Sequence, residues 1–147
     1  MSFQEALKKS AEILKQGGVI LYPTDTVWGI GCDAKNEAAV EKVFALKKRA
    51  DTKSMLCLVA NVAMLERHIA QVPEAAYDII DLSEKPTTII FDQPIGVAKN
   101  LIGPDNSLGI RVAKDKFCSY LSQNIKGPLV STSANLAGQP TPKNFQE

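Results

Sequence analysis

Cysteine and histidine are scarce in this chain of 147 residues, which contains three cysteines and one histidine. Cys32, Cys57 and Cys118 form no C-x-x-C pair, and their number is odd. A disulfide framework and a structural zinc site are therefore not expected, and buried thiols in a reducing compartment, the cytoplasm, fit better. The single histidine, His68, excludes a metal site built from several histidines, and we predict that it lies on the surface of a helix.

Long apolar runs and several common catalytic motifs are also missing. No stretch approaches the ~18 apolar residues that span a bilayer, and the N-terminus has no signal-peptide core, so no membrane role is expected. The absence of G-x-x-x-x-G-K-S/T and of G-x-S-x-G excludes the P-loop and nucleophile-elbow classes. Lysine and arginine total 17 against 16 acidic residues, and aromatics make up 6%. Neither value predicts nucleic-acid binding.

What the chain does contain is a regular alternation of helical and extended patterns. Ser2 and Glu5 have the spacing of a capping box ahead of the first apolar helical repeat. The predicted helices cover 3–14, 36–47, 61–69, 73–82 and 116–125, and the predicted strands cover 18–23, 54–60, 87–92, 108–113 and 128–134. This order predicts a single α/β domain. Because not every crossover contains a clear helix, we expect a mixed sheet.

Three segments interrupt the alternation with dense polar groups. Residues 22–31, YPTDTVWGIG, follow a buried strand, a position where open α/β folds commonly bind ligands. Residues 46–55, LKKRADTKSM, concentrate cations that suit a polyphosphate or a carboxylate. Residues 129–142, LVSTSANLAGQPTP, place hydroxyls and an amide at a strand end, where they can contact phosphate or sugar oxygens.

Each segment also has an ordinary structural interpretation. The first can be a turn stabilised by Asp25 and threonine hydroxyls, and the third a capped turn that uses its polar groups locally. The second can be a solvated basic patch beside a helix C-terminus. Arg111, inside the apolar run LGIRVA, is costly there unless it is paired. A bound anion, an acidic partner or an outward orientation would each satisfy it.

In this order, YPTDTVWGIG, LKKRADTKSM, TTIIF, LGIRV and PLVSTSANLAGQPTP resemble the YrdC-type threonylcarbamoyl-AMP synthase family, from about Gly17 to Pro142. The resemblance implies a twisted mixed parallel and antiparallel sheet, flanked by helices, around a large positively charged cavity. It implies that L-threonine, bicarbonate and ATP, with Mg²⁺, are condensed to threonylcarbamoyl-AMP and pyrophosphate. A separate tRNA threonylcarbamoyl transferase complex would then modify adenosine 37 of tRNA.

The resemblance also implies the site residues, and it implies no metal ligand from the protein. A site that holds several anionic reactants needs cations and alignment more than a protein nucleophile. The implied threonine-binding residues are Thr24, Thr26, Arg49 and Thr88; the ATP-binding residues are Lys47, Lys53, Arg111, Ser131, Ser133 and Asn135; and the catalytic residues are Thr26, Lys47 and Arg49.

Three features depart from the family pattern. Lys85-Pro86-Thr87-Thr88 stands where many members have G-P-x-T. Leu58 stands where longer members have a histidine, so a catalytic role of that histidine is not transferred. The chain, taken as one YrdC-like domain over 1–147, ends about where members continue, and we expect it to lack their C-terminal helical segment.

Two other functions remain open from the sequence. A non-catalytic module that binds tRNA or double-stranded RNA could use the same basic cavity through Lys47, Lys48, Arg49 and Lys53. The related carbamoyl-transferring domain of hydrogenase maturation proteins normally belongs to much longer chains with zinc-binding cysteines.

Overall fold

The structure, a computed structural model, describes residues 2–23, 28–47, 55–84, 87–103 and 105–133. Within these ranges the chain forms an α/β domain around a mixed sheet, as the sequence predicts. The helices are α1 (Phe3–Lys15), α2 (Glu37–Lys47), α3 (Val62–His68), α4 (Glu74–Leu82) and α5 (Lys116–Ile125). The strands are β1 (Ile20–Pro23), β2 (Trp28–Asp33), β3 (Leu56–Val59), β4 (Ile89–Asp92), β5 (Ser107–Val112) and β6 (Leu129–Ser133).

Local side-chain caps explain where several helices begin. Ser2, Asn36, Asn61 and Asp115 each accept a hydrogen bond from the backbone N–H three residues on, at 3.1, 3.0, 2.9 and 2.8 Å. Each bond satisfies an amide that has no partner within the helix. After α1, Gly17 turns the chain with a φ of +82°. No helix in the described ranges has the length and apolar character needed to cross a membrane.

The sheet has the order β1-β2-β6-β3-β5-β4. β3 and β5 run parallel, and the other neighbouring pairs are antiparallel. β6 therefore lies inside the sheet, between β2 and β3, although it is the last of these strands along the chain. Helix α2 packs on β2, and α5 packs on both β3 and α1. The mixed sheet predicted from the uneven crossovers is confirmed.

β2 is the main difference from the expectation for residues 22–31, which were predicted to be a ligand loop. Trp28–Asp33 instead pairs antiparallel with both β1 and β6. The alternation of apolar and polar side chains that predicts a strand is not visible in this segment, because Gly29 and Gly31 have no side chains. The close approach expected of these glycines is real at Gly31, where a Cβ would lie 2.4 Å from the Val130 oxygen and 2.5 Å from the Tyr22 ring.

The cysteines are packing groups, as predicted. Cys32, Cys57 and Cys118 are all buried thiols. Burial raises the pKa of the Cys32 thiol to about 12. Burial also raises the pKa of Cys57, well above its ordinary value. Cys32 and Cys57 therefore stay protonated at neutral pH.

His68 is buried, and the surface position predicted for it is wrong. Only 9% of the residue is exposed, and its Nδ1 lies 3.0 Å from the Ile95 oxygen. The backbone N–H of Ile95 in turn donates to the His68 oxygen at 2.8 Å. The segment after β4 thus covers the last turn of α3, a long-range contact that the pattern of a short helix does not reveal. Burial lowers the pKa of His68, and the Ile95 hydrogen bond opposes this effect.

We predict that His68 makes stability depend on pH. The ordinary pKa of histidine is about 6.5, and the folded state holds the pKa of His68 below it. The contribution of the neutral ring to stability is therefore fully present above pH ~6.5, and it is lost as the pH falls from there through the lower pKa of the folded state. Urea unfolding at pH 7.5, 6.5 and 5.5 should show a falling free energy of unfolding.

The matched variant is His68→Gln, which cannot titrate. Because His68 is the only histidine, no other side chain has an unperturbed pKa in this window. The variant should show a flatter profile between pH 7.5 and 5.5, whatever its absolute stability. Equal slopes for the two proteins would contradict the prediction.

We also predict that Gly31→Ala is strongly destabilising. The new methyl group must displace the backbone of β6 or the buried Tyr22 ring, which should cost about 2 kcal/mol or more. Gly109→Ala is the control in another strand, because its Cβ would meet its nearest neighbour, Thr88 Cγ2, at 3.2 Å. Urea unfolding should give Gly31→Ala a much lower free energy of unfolding than Gly109→Ala, and the reverse order would refute the close contact at Gly31.

Candidate functional site

The sheet register brings the ends of the three polar segments to one end of the sheet. Gly29, near the start of β2, faces Ser133 at the end of β6. Leu56, the first residue of β3, faces Ser131. The β1–β2 connection, the segment that precedes β3 and the segment that follows β6 therefore attach to neighbouring strand ends. Segments far apart in sequence are thus anchored side by side.

The structure describes only part of the predicted site. Thr88, Arg111 and Ser131 are described with their side chains. Thr24, Thr26, Arg49, Lys53 and Asn135 lie outside the described residues, as do the side chains of Lys47 and Ser133, whose backbones end α2 and β6. The roles predicted for these residues stay predictions.

The three described site residues share one face of the sheet. Leu58 faces Arg111 across the parallel pair and Leu129 across the antiparallel pair. Ser131 lies two residues beyond Leu129 and so points to the same side. The β4–β5 register, extended by one residue, sets Thr88 beside Arg111.

Thr88 and Arg111 are joined by a hydrogen bond. Arg111 Nε donates to Thr88 Oγ1 at 3.1 Å, and the arginine is half-buried. The bond fixes the plane of the guanidinium through its inner nitrogen. A guanidinium oriented in this way can bind a carboxylate or a phosphate through two parallel hydrogen bonds.

Ser131 lies deeper in the sheet, with 8% of its surface exposed. Beside it, the hydroxyl of Tyr22 donates to the Val130 oxygen at 3.1 Å. Burial strongly raises the pKa of Tyr22, and its hydrogen bond with Ser131 opposes the rise. Tyr22 is therefore a neutral phenol that ties β1 to β6, and contact of Ser131 with a nucleotide stays a prediction.

An open cavity of about 760 Å³ lies on this face, over β3, β5 and β4. Its walls include the apolar side chains of Leu56 and Ile90, and its polar groups include Thr88, Asp105 and Ser107. Sequence reasoning found Thr88 but missed Asp105 and Ser107. The signal in the sequence was the polar turn that precedes β5. Such a turn commonly serves only to connect two elements, so it does not by itself indicate a site.

In the described ranges, no group of three or more histidine, cysteine, aspartate or glutamate side chains is placed to hold a metal ion. The described part of the predicted site is instead an arginine oriented by Thr88, a residue that lines an open cavity on one face of the mixed sheet of an α/β domain.

Comparison with known proteins identifies the family. The Sua5/YciO/YrdC family model, described as telomere recombination, matches residues 12–147. A threonylcarbamoyl-AMP synthase from Stenotrophomonas maltophilia is 36% identical over 145 residues, covering 96% of this chain and 77% of that protein. The chain belongs to the Sua5/YciO/YrdC family, and the resemblance seen in its motifs is confirmed.

Solved structures agree on the fold. Sua5 from P. abyssi, complexed with L-threonine, superposes with a TM-score of 0.86 at 24% identity, over 97% of this chain. YciO from E. coli superposes with a TM-score of 0.79 at 24% identity, over 92% of this chain. The present chain spans 42% of the P. abyssi chain and 66% of the E. coli chain. At this level of identity the likeness establishes the fold.

We predict that Arg111 binds anions and that Thr88 orients it. Arg111→Gln should weaken pyrophosphate binding about tenfold or more, because a charge-assisted bidentate contact is lost. Thr88→Val, which removes only the acceptor of the Arg111 Nε bond, should have a smaller effect in the same direction. Isothermal titration with pyrophosphate measures both.

Arg67→Gln is the matched control for this prediction. Arg67 is an exposed arginine on α3, so the substitution removes the same charge from another element. It should leave pyrophosphate affinity within about twofold of the wild type, as expected for a screened distant charge. An equal loss in Arg67→Gln and Arg111→Gln would show a general charge effect and refute the site.

Proposed function

We propose that this chain is an L-threonylcarbamoyladenylate synthase, an ATP-dependent nucleotidyltransferase that acts in the cytoplasm. The observation that carries the proposal is the 36% identity to a threonylcarbamoyl-AMP synthase, which extends over 96% of the chain. The oriented Arg111 and the adjacent cavity support it, because the substrates of such an enzyme are anions.

The reaction has two condensations. The threonine nitrogen, as the free amine, bonds to the carbon of bicarbonate, and water leaves to give the carbamate. A carbamate oxygen then attacks the α-phosphorus of ATP, and the bond to the β-phosphate oxygen breaks, releasing pyrophosphate. Each reactant is anionic, so the site must cancel repulsion and stabilise the charge on the leaving group.

The side chains of the site are proposed to divide this work. Thr24, Thr26, Arg49 and Thr88 would hold threonine, and Lys47, Lys53, Arg111, Ser131, Ser133 and Asn135 would hold ATP. Thr26, Lys47 and Arg49 would align the reacting groups and stabilise the developing charge. Mg²⁺ would enter with ATP, bound chiefly by its phosphates, as this ion usually is in such sites.

The product would serve tRNA modification. Threonylcarbamoyl-AMP is a mixed anhydride, an activated acyl donor, and a separate tRNA threonylcarbamoyl transferase complex would pass its acyl group to adenosine 37. The present chain then needs no tRNA contact of its own, which agrees with a net charge of only +1.

Pyrophosphate release tests the proposal directly. The protein, with ATP, Mg²⁺ and bicarbonate, should release pyrophosphate only when L-threonine is added, and mass spectrometry should detect threonylcarbamoyl-AMP. Arg49→Ala should lower turnover at least a hundredfold, because the guanidinium that would stabilise the developing negative charge is lost. Thr26→Val should raise the KM for threonine more than the KM for ATP.

Arg67→Ala is the control for charge and should turn over normally. Normal turnover by Arg49→Ala would reject the role given to that residue. A folded protein that binds ATP but releases no threonine-dependent pyrophosphate would contradict the synthase. Salt-sensitive binding of tRNA by that same silent protein would favour the non-catalytic RNA-binding function.

A further inference from the structure

Opposite charges lie near the two ends of β5: Asp105 lines the cavity, and Arg111 borders it through its bond to the lining residue Thr88. Ser107, Gly109 and Arg111 point to the same side because side chains alternate along a strand. At one end, the Ser107 hydroxyl donates to Asp105 Oδ1 at 2.6 Å, and at the other, Arg111 is bonded to Thr88. Arg111 lies four positions after Ser107, about 13 Å along the strand.

The middle of this face has no side chain of its own. Gly109 lies between Leu56 on β3 and Ile90 on β4, and a Cβ there would meet Thr88 Cγ2 at 3.2 Å and Leu56 Cβ at 3.8 Å. Ile90 is 73% exposed, although its side chain forms a wall of the cavity. A flat apolar group laid on Gly109 would cover Ile90 and Leu56, which is favourable because it removes apolar surface from water.

The charges decide which way a nucleotide would lie in this cavity. The Asp105 carboxylate repels phosphates, and the Arg111 guanidinium attracts them. The phosphates therefore belong at the Arg111 end and the base at the Asp105 end, with the sugar over Gly109. A carboxylate only accepts hydrogen bonds, so at the base it favours an amino group over a carbonyl oxygen.

We infer that this cavity holds the adenosine part of ATP and that Asp105 selects adenine by accepting a hydrogen bond from its 6-amino group. The inference rests on the proposed function, because ATP is the nucleotide which that function requires. It adds a specificity residue outside the segments 22–31, 46–55 and 129–142. Ser107 is a positioning residue, since its hydroxyl holds one oxygen of the Asp105 carboxylate.

The experiment compares AMP with IMP, which carries a carbonyl oxygen in place of the 6-amino group. Isothermal titration of the wild type should show AMP binding about tenfold more tightly than IMP, the effect of one charge-assisted hydrogen bond at an open site. Asp105→Asn should reduce this preference below about threefold, because an amide can turn its NH₂ toward the carbonyl. Asp105 is exposed, so this variant should fold.

Asp92→Asn is the matched control. Asp92 faces Ser107 in the β4–β5 ladder and is exposed, so the variant removes the same charge from the same end of the sheet. It should keep the preference for AMP. Gly109→Val should weaken AMP and IMP alike, about tenfold or more, because its side chain occupies the floor of the cavity.

Three results would overturn the inference: equal affinity of the wild type for AMP and IMP, a preference unchanged in Asp105→Asn, or the same loss in Asp92→Asn. These titrations need no turnover, so they are independent of the synthase assay. An Asp105-dependent AMP preference without threonine-dependent pyrophosphate release would reject the proposed function and keep the adenine site. Release without any base preference would reject the adenine site alone.

Discussion

The backbone pairing of β6 with β2 on one side and with β3 on the other is the interaction on which the rest of the structure depends. Among the strands that the structure describes, only β6 links β1 and β2 by hydrogen bonds to β3, β5 and β4. Tyr22 reinforces this junction, since its hydroxyl bonds the Val130 oxygen from 108 residues away in sequence. Long-range pairing of this kind carries a loop-closure cost and is expected to form late in folding.

The same pairing decides which of the predicted site residues share one face of the sheet. A shift of one residue in the register of β6 would turn Ser131 to the opposite face and break its alignment with Arg111. The glycines act on this face in two different ways. Gly31 admits the Tyr22 ring against the sheet, whereas Gly109 leaves the space that becomes the floor of the cavity. The missing Cβ at Gly31 thus lets the core pack tightly, and the missing Cβ at Gly109 leaves the cavity open.

The elements that could be predicted from sequence are those with local causes. Caps at Ser2, Asn61 and Asp115 and the repeats that follow them mark the starts of α1, α3 and α5. β2 was not predicted as a strand because Gly29 and Gly31 carry no hydrophobic pattern. The burial of His68 was not predicted because the segment around Ile95, which covers it, is distant in sequence. Asp105 was not singled out from the sequence because an aspartate in a turn commonly forms hydrogen bonds only with the nearby backbone.

The sequence by itself determined the family, the α/β class, the buried state of the cysteines and the types of residue available for binding anions. These follow from the order of the motifs, from the period of the hydrophobic pattern and from the chemistry of individual side chains. All of these can be read along the chain without knowing which segments pair. The tertiary structure alone decided that Thr88 orients Arg111, that Asp105 and Thr88 line the same cavity, and that β2 joins the sheet. Each of these depends on strand order and register, which are set by hydrogen bonds between segments far apart in the chain.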